Sequence, residues 1–86
     1  MNMTMRSTSD VRWLTPVYVR IGYGSAEAVR SPQQALDKLM YRWPANQGRH
    51  YLSAKANCRA ALDQKISPDI AREAFVRASL EAKLLD

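Results

Sequence analysis

Two serine–proline pairs, Ser31–Pro32 and Ser67–Pro68, constrain the fold of this chain more than any other feature. A serine at an N-cap turns its hydroxyl back onto the first free N–H groups of a helix. A proline beside it loses nothing, because the N–H it lacks would have no helical partner there. Each pair therefore predicts a helix start. In "SPQQALDKLMYRW", Gln34 completes a capping box with Ser31. In "SPDIAREAFVRASLEAKLL", Asp69 places negative charge on the positive end of the helix. Pro44 ends the first of these helices, since the residue before a proline is pushed out of the α region.

Helical periodicity assigns faces to these segments. At about 100° per residue, Ala35, Leu36, Leu39, Met40 and Trp43 form one stripe, with Gln33, Asp37, Lys38 and Tyr41 opposite. On the last helix the core stripe is Ala71, Ala74, Phe75, Ala78, Ala82 and Leu85. A third helix is expected between them, from about Arg49 to Lys65, with Tyr51, Ala54, Cys58, Ala61 and Leu62 on one side. Its small residues predict close approach to a neighbouring helix.

Before the first helix the period changes from 3.6 to two. In "WLTPVYVRIG", Trp13, Val17, Val19 and Ile21 share one parity, while Tyr18 and Arg20 take the other, as a half-buried strand requires. Pro16 has no N–H for a ladder bond and belongs at the strand's beginning or on an edge, with Trp13 packing just before regular pairing. "GYGS" supplies a turn, in which Gly22 and Gly24 accept positive φ, and "AEAVR" returns as a weaker strand. The expected fold class is α+β, an N-terminal β-hairpin packed against three α-helices.

With 86 residues, net charge +5 and pI ≈ 9.8, the chain has room for one hydrophobic core. We read residues 1–10, "MNMTMRSTSD", as a flexible tail and 11–86 as the single domain. A domain this small buries only about 60 to 65% of the surface its unfolded chain exposes, so self-association would help it. One cysteine permits no internal disulfide, and a reducing cytoplasm is the simplest compartment. The start has no apolar leader segment, and no run approaches the roughly 18 apolar residues of a membrane span.

The one histidine and the one cysteine, His50 and Cys58, invite a reading as base and nucleophile. On a continuous helix they lie roughly 12 Å apart along the axis and about 80° apart around it. A base must reach its nucleophile at roughly 3 Å, so they cannot act as a dyad. Cys58 reads as a small core residue and His50 as a capping or boundary residue. No phosphate-binding loop, dinucleotide fingerprint, H-E-x-x-H motif or cysteine pair is present, and the acids are dispersed. The chain is expected to be no enzyme and to hold no cofactor and no metal; an enzyme whose site assembles only in three dimensions is the third-ranked reading.

The order Trp13, Pro16-Val17-Tyr18-Val19, Val29-Arg30-Ser31-Pro32-Gln33-Gln34-Ala35-Leu36, Trp43-Pro44, Gly48-Arg49-His50-Tyr51, Ala54, Cys58-Arg59-Ala60-Ala61-Leu62, Ser67-Pro68 and Ala71-Arg72-Glu73-Ala74-Phe75-Val76, ending in Ala78 and Glu81-Ala82, resembles domain-of-unknown-function family 982. These are small proteins found mainly in rhizobia and related soil bacteria. The resemblance runs from Trp13 to Ala82. It implies a stand-alone bacterial domain with a hairpin and three helices, and it carries over no catalytic or binding residue.

Two surfaces remain. Val76, Leu80 and Leu84 recur every four residues, roughly opposite the Ala71/Ala74/Phe75/Ala78 stripe, so the last helix is apolar on two sides. The second ridge is either covered within the monomer or an interface with a protein partner or a second copy of the chain. The other surface is basic. Nine of the 13 basic residues are arginines, and Arg42, Arg49, Lys55 and Arg59 surround the Trp43–Pro44 turn and second helix, with Tyr41 and Tyr51 interleaved. Such groups hold phosphates and stacked bases. The leading expectation is a non-enzymatic protein-interaction module, with a nucleic-acid-binding regulator as runner-up.

Overall fold

Ser31 and Ser67 both act as the helix starts they resemble. The Ser31 hydroxyl accepts from the Gln34 N–H at 3.1 Å, and the Ser67 hydroxyl from the Asp69 N–H at 3.1 Å. Gln34 reaches back as a capping box requires, but one residue further than the N-cap: its side-chain oxygen accepts from the Arg30 N–H at 2.8 Å. The computed structural model describes residues 11–45 and 47–86, so the expected tail at 1–10 lies outside the described residues.

The elements are β1 (Val17–Val19), β2 (Glu27–Val29), α1 (Pro32–Tyr41), α2 (Arg49–Leu62) and α3 (Pro68–Glu81). This is the α+β arrangement of hairpin and three helices. β1 and β2 pair antiparallel with Val17 opposite Val29 and Val19 opposite Glu27, and Gly22 takes a positive φ of 71° in the turn between them. Val17 and Val19 are buried while Tyr18 faces out.

The core forms where the hairpin's inner face meets three helical stripes. Phe75 is fully buried at its centre, between Trp13, with ring centroids 6.0 Å apart, and Trp43, at 5.6 Å. Removing such a ring costs about 3–5 kcal/mol. Trp13 is pinned just before β1, its indole N–H donating to the Pro68 carbonyl at 2.9 Å and its backbone N–H to Arg30 at 2.7 Å. α2 and α3 face each other through Ala54, Cys58 and Ala61 on one helix and Ala71, Ala74 and Ala78 on the other, all buried. Leu62 and Met40, both expected in core stripes, sit at their margins: Leu62 is half-buried and Met40 exposed.

Both long helices stop earlier than their periodicity predicts. α2 ends at Leu62 and α3 at Glu81, each in a Schellman motif. In α2 the Gln64 N–H donates to Ala61 and the Lys65 N–H to Ala60; in α3 the Lys83 N–H donates to Leu80 and the Leu84 N–H to Ser79. Gln64 and Lys83 take the left-handed conformation, at φ 62° and 61°, that glycine usually fills. The chain after Lys83 then turns onto the free edge of β1. The Arg20 N–H donates to the Leu84 carbonyl, the Asp86 N–H donates to Tyr18, and Val19 bridges Leu85. Leu85, expected on the helical core stripe, is therefore an exposed residue of this third extended segment.

Candidate interaction surface

The helix carrying His50 and Cys58 is capped from a distance. Gly48, its N-cap, has no side chain to offer the first free N–H groups. The Glu81 carboxylate, at the last turn of α3, supplies what is missing: Oε2 accepts from the His50 N–H and Oε1 from the Tyr51 N–H, each at 3.2 Å. A carboxylate here also answers the positive end of the α2 dipole. A Cβ at position 48 would lie 2.6 Å from Glu81 Oε2 and 2.8 Å from its Cδ, so the glycine admits the carboxylate. His50 thus stands at a helix boundary, capped through its backbone. Eight residues on, Cys58 is fully buried, and burial pushes its thiol up to about 12. A thiol held that way supplies no nucleophile at neutral pH.

The four basic residues differ in what holds them. Arg42 forms a fork with Glu27, both contacts 2.8 Å, and Lys38 Nζ lies 3.2 Å from the same carboxylate. These hydrogen bonds, Arg42 first and Lys38 second, hold the Glu27 carboxyl at about 2, well below its ordinary 4.5. Arg42 therefore ties α1 to the hairpin. Lys55 sits 5.2 Å over the Tyr51 ring, and an Arg59 guanidinium nitrogen lies 3.4 Å from the Met40 sulfur. Arg49 is exposed in the first turn of α2, about 80° around the helix from Arg59. Tyr51 is buried, its hydroxyl donating to the Leu39 carbonyl at 2.9 Å, and has no face to offer a base. Tyr41 is exposed.

The apolar ridge on α3 is shorter than its spacing predicts. Leu84 lies beyond the helix end and, like Val76, is half-buried against the core, so Leu80 alone of the three stands exposed on the outer face. Val76 is half-buried and Leu80 is 58% exposed. Around α3, Leu80 points almost directly away from Ala74, Phe75 and Ala78. Two adjoining concavities flank it. One, about 490 Å³, is lined by His50, Arg77, Leu80 and Glu81; the other, about 340 Å³, by Arg72, Glu73, Val76, Arg77 and Leu80. Both are broad and open, and together they form a trough along the outer face of α3. A smaller cleft of about 200 Å³ lies between α1 and α2, at Leu36, Arg59, Leu62 and Asp63. Among the described residues no group of three His, Cys, Asp or Glu side chains is placed to hold a metal ion, and no helix is long and apolar enough to cross a membrane.

Residues 15–85 match the model of a family described as protein of unknown function, DUF982. The chain belongs to the DUF982 family. Among solved structures, the chain is similar to the Agrobacterium tumefaciens protein Atu1219, determined by NMR. That structure is 35% identical, covers 98% of this chain and 86% of its own, and superposes with a TM-score of 0.78. No curated protein matches. Several residues of the resemblance now have structural roles in this DUF982 chain. The Trp–Pro pair follows the end of α1 and its Trp43 ring packs tilted against Phe75, the glycine of Gly48-Arg49-His50-Tyr51 admits Glu81, and Phe75 is the centre of the core. Of the trough residues, Val76 and Leu80 were visible as a second apolar side of a helix. Arg72, Glu73 and Arg77 share their helix, and His50, on α2, joins them only through tertiary placement.

Proposed function

We propose that this DUF982 protein is a non-enzymatic protein-interaction module that engages a protein partner through the outer face of α3. The observation that carries the reading is Leu80, an exposed leucine set opposite a complete core, beside Val76 and among charged side chains of both signs, Arg72, Glu73, Arg77 and Glu81. A large apolar side chain of this kind gains by being covered, and nothing in the monomer's own packing needs it. The alternative occupant is a second copy of the chain. The Arg42–Glu27 fork and the buried ring of Tyr51 rank nucleic acid below a protein partner. The single buried thiol fits a protein working in the reducing cytoplasm.

The test is paired affinity capture from native lysate with the natural chain and with Leu80→Glu, each with and without nuclease. The reading expects a protein captured by the natural chain, retained after nuclease and lost with Leu80→Glu. Capture that is unaffected at Leu80, or that vanishes with nuclease, contradicts it.

A further inference from the structure

We infer that residues 82–86 are a two-state strap: lying on β1 as a strand they cut α3 short, and continuing α3 as a helix they extend its outer face with Leu84. The inference rests on the docking reading above and adds what regulates that face. It starts from a conflict between local sequence and structure. The stretch "EAKLL", residues 81–85, consists wholly of residues that favour helix, and Leu84 continues the spacing of Val76 and Leu80. Yet α3 stops at Glu81, and it does so by placing Lys83 at φ 61°, a conformation that is costly for a residue with a Cβ. Local choices that disagree with the fold in this way mark strained or functional positions.

Little holds the strap in place. Two backbone hydrogen bonds fasten it to β1, from the Arg20 N–H to the Leu84 carbonyl at 2.9 Å and from the Asp86 N–H to the Tyr18 carbonyl at 3.0 Å. Arg20 and Asp86 also form an ion pair at 3.1 Å, with side chains 50% and 41% exposed, and such a pair contributes little. Leu84 is half-buried and Leu85 exposed. The Leu85 N–H points away from β1, as the alternation of an antiparallel edge requires. As a helix, the same segment donates from Lys83, Leu84, Leu85 and Asp86 to the carbonyls four residues back, and Lys83 leaves its left-handed conformation. Water then solvates the Arg20 N–H and the Tyr18 carbonyl, both on exposed residues. The two states thus exchange comparable sets of bonds, as a bistable element requires. What the helical state gives up is the half-burial of Leu84. There Leu84 lies one turn beyond Leu80 and about 40° around the helix from it, so the apolar ridge runs Val76, Leu80, Leu84. A partner that covers Leu80 covers Leu84 only in that state, and so selects it.

The test reads the second state directly. The full chain, labelled with carbon-13 and nitrogen-15, is followed by chemical exchange saturation transfer, which reports the shifts of a sparsely populated state. The inference expects Lys83, Leu84 and Leu85, together with the Arg20 amide, to exchange with a minor state in which the carbon-13 shifts of residues 83–85 are helical. Lys83→Gly, which favours the left-handed turn and disfavours the helix, lowers the population of that state about tenfold. Asp86→Lys, which removes the ion pair and sets a positive charge at a helix C-terminus, raises it several-fold. Lys83→Gly also weakens the Leu80-dependent capture from lysate. Coil-like shifts in the minor state, no minor state in either the natural chain or Asp86→Lys, a population indifferent to Lys83→Gly, or Leu80-dependent capture undiminished in Lys83→Gly each overturns the inference. Any of these beside Leu80-dependent capture removes the strap alone, whereas a helical minor state beside capture indifferent to Leu80→Glu removes the docking reading alone.

Discussion

Gly48 and Glu81 form one unit although they belong to opposite ends of the helical hairpin α2–α3. The carboxylate fits against the helix start only because position 48 has no Cβ, and it then closes the two N–H groups that Gly48 cannot. The end of α3 is thereby fastened to the beginning of α2, which fixes both walls of the trough that contains His50 and Leu80.

Gly48→Ala and Glu81→Ala should therefore have overlapping costs. Alanine at 48 displaces the flexible carboxylate rather than the backbone, so each substitution loses the same cap, about 1–2 kcal/mol. Urea denaturation of both single variants and the double variant checks this. The double variant should cost little more than either single one; simple additivity would show that the two residues act separately.

Gln64→Gly and Lys83→Gly should each stabilise the fold. Both residues hold the left-handed conformation at a helix C-terminus, and glycine adopts it without the steric cost. A gain of about 1 kcal/mol corresponds to roughly 4–8 °C in Tm for a domain of this size. An unchanged or lower Tm in both variants would contradict the assignment of the two Schellman motifs.

These two turns also show where sequence reading stops. The helix starts at Ser31 and Ser67, the break at Pro44 and the turn at Gly22 were legible because capping, ring geometry and positive φ are local chemistry carried by the residues themselves. The helix stops were not, because Gln64 and Lys83 stand where a glycine would have signalled the end. For that reason helical spacing puts Leu84 on the α3 ridge and Leu85 on its core stripe, whereas both belong to the segment paired with β1. The Glu81 cap and the Glu27 fork were equally out of reach, since each joins residues far apart in sequence. Of the trough, the α3 residues follow from helical spacing, and the approach of His50 from α2 does not.

Acid should weaken the tie between the hairpin and α1. The Glu27 carboxyl is held at about 2 in the folded protein against an ordinary 4.5. Its contribution is thus fully present above about 4.5 and is lost as the pH falls from there towards 2. The stability difference between the natural chain and Glu27→Gln, measured by urea midpoint across that range, should shrink as the pH falls. A constant difference would mean that the carboxylate's charge does not contribute.

Cys58 should resist thiol reagents in the native protein at pH 8. Its thiol is fully buried and pushed up to about 12, so thiolate is scarce and shielded. Labelling should become fast in urea, at the rate of unfolding, and His50→Ala should leave the native rate unchanged. Rapid native labelling that slows in His50→Ala would revive the pairing of the two residues.

The central claim is that the outer face of α3 is where a partner sits, and position 80 tests it most directly. A benzoylphenylalanine in place of Leu80 is photolysed in the native cell beside the same group in place of Leu52, a leucine of similar exposure, 60% against 58%, on the face of α2 away from His50. The account predicts a discrete protein adduct from position 80 and none from position 52. Equal adducts at both positions, or no adduct at position 80, would contradict it.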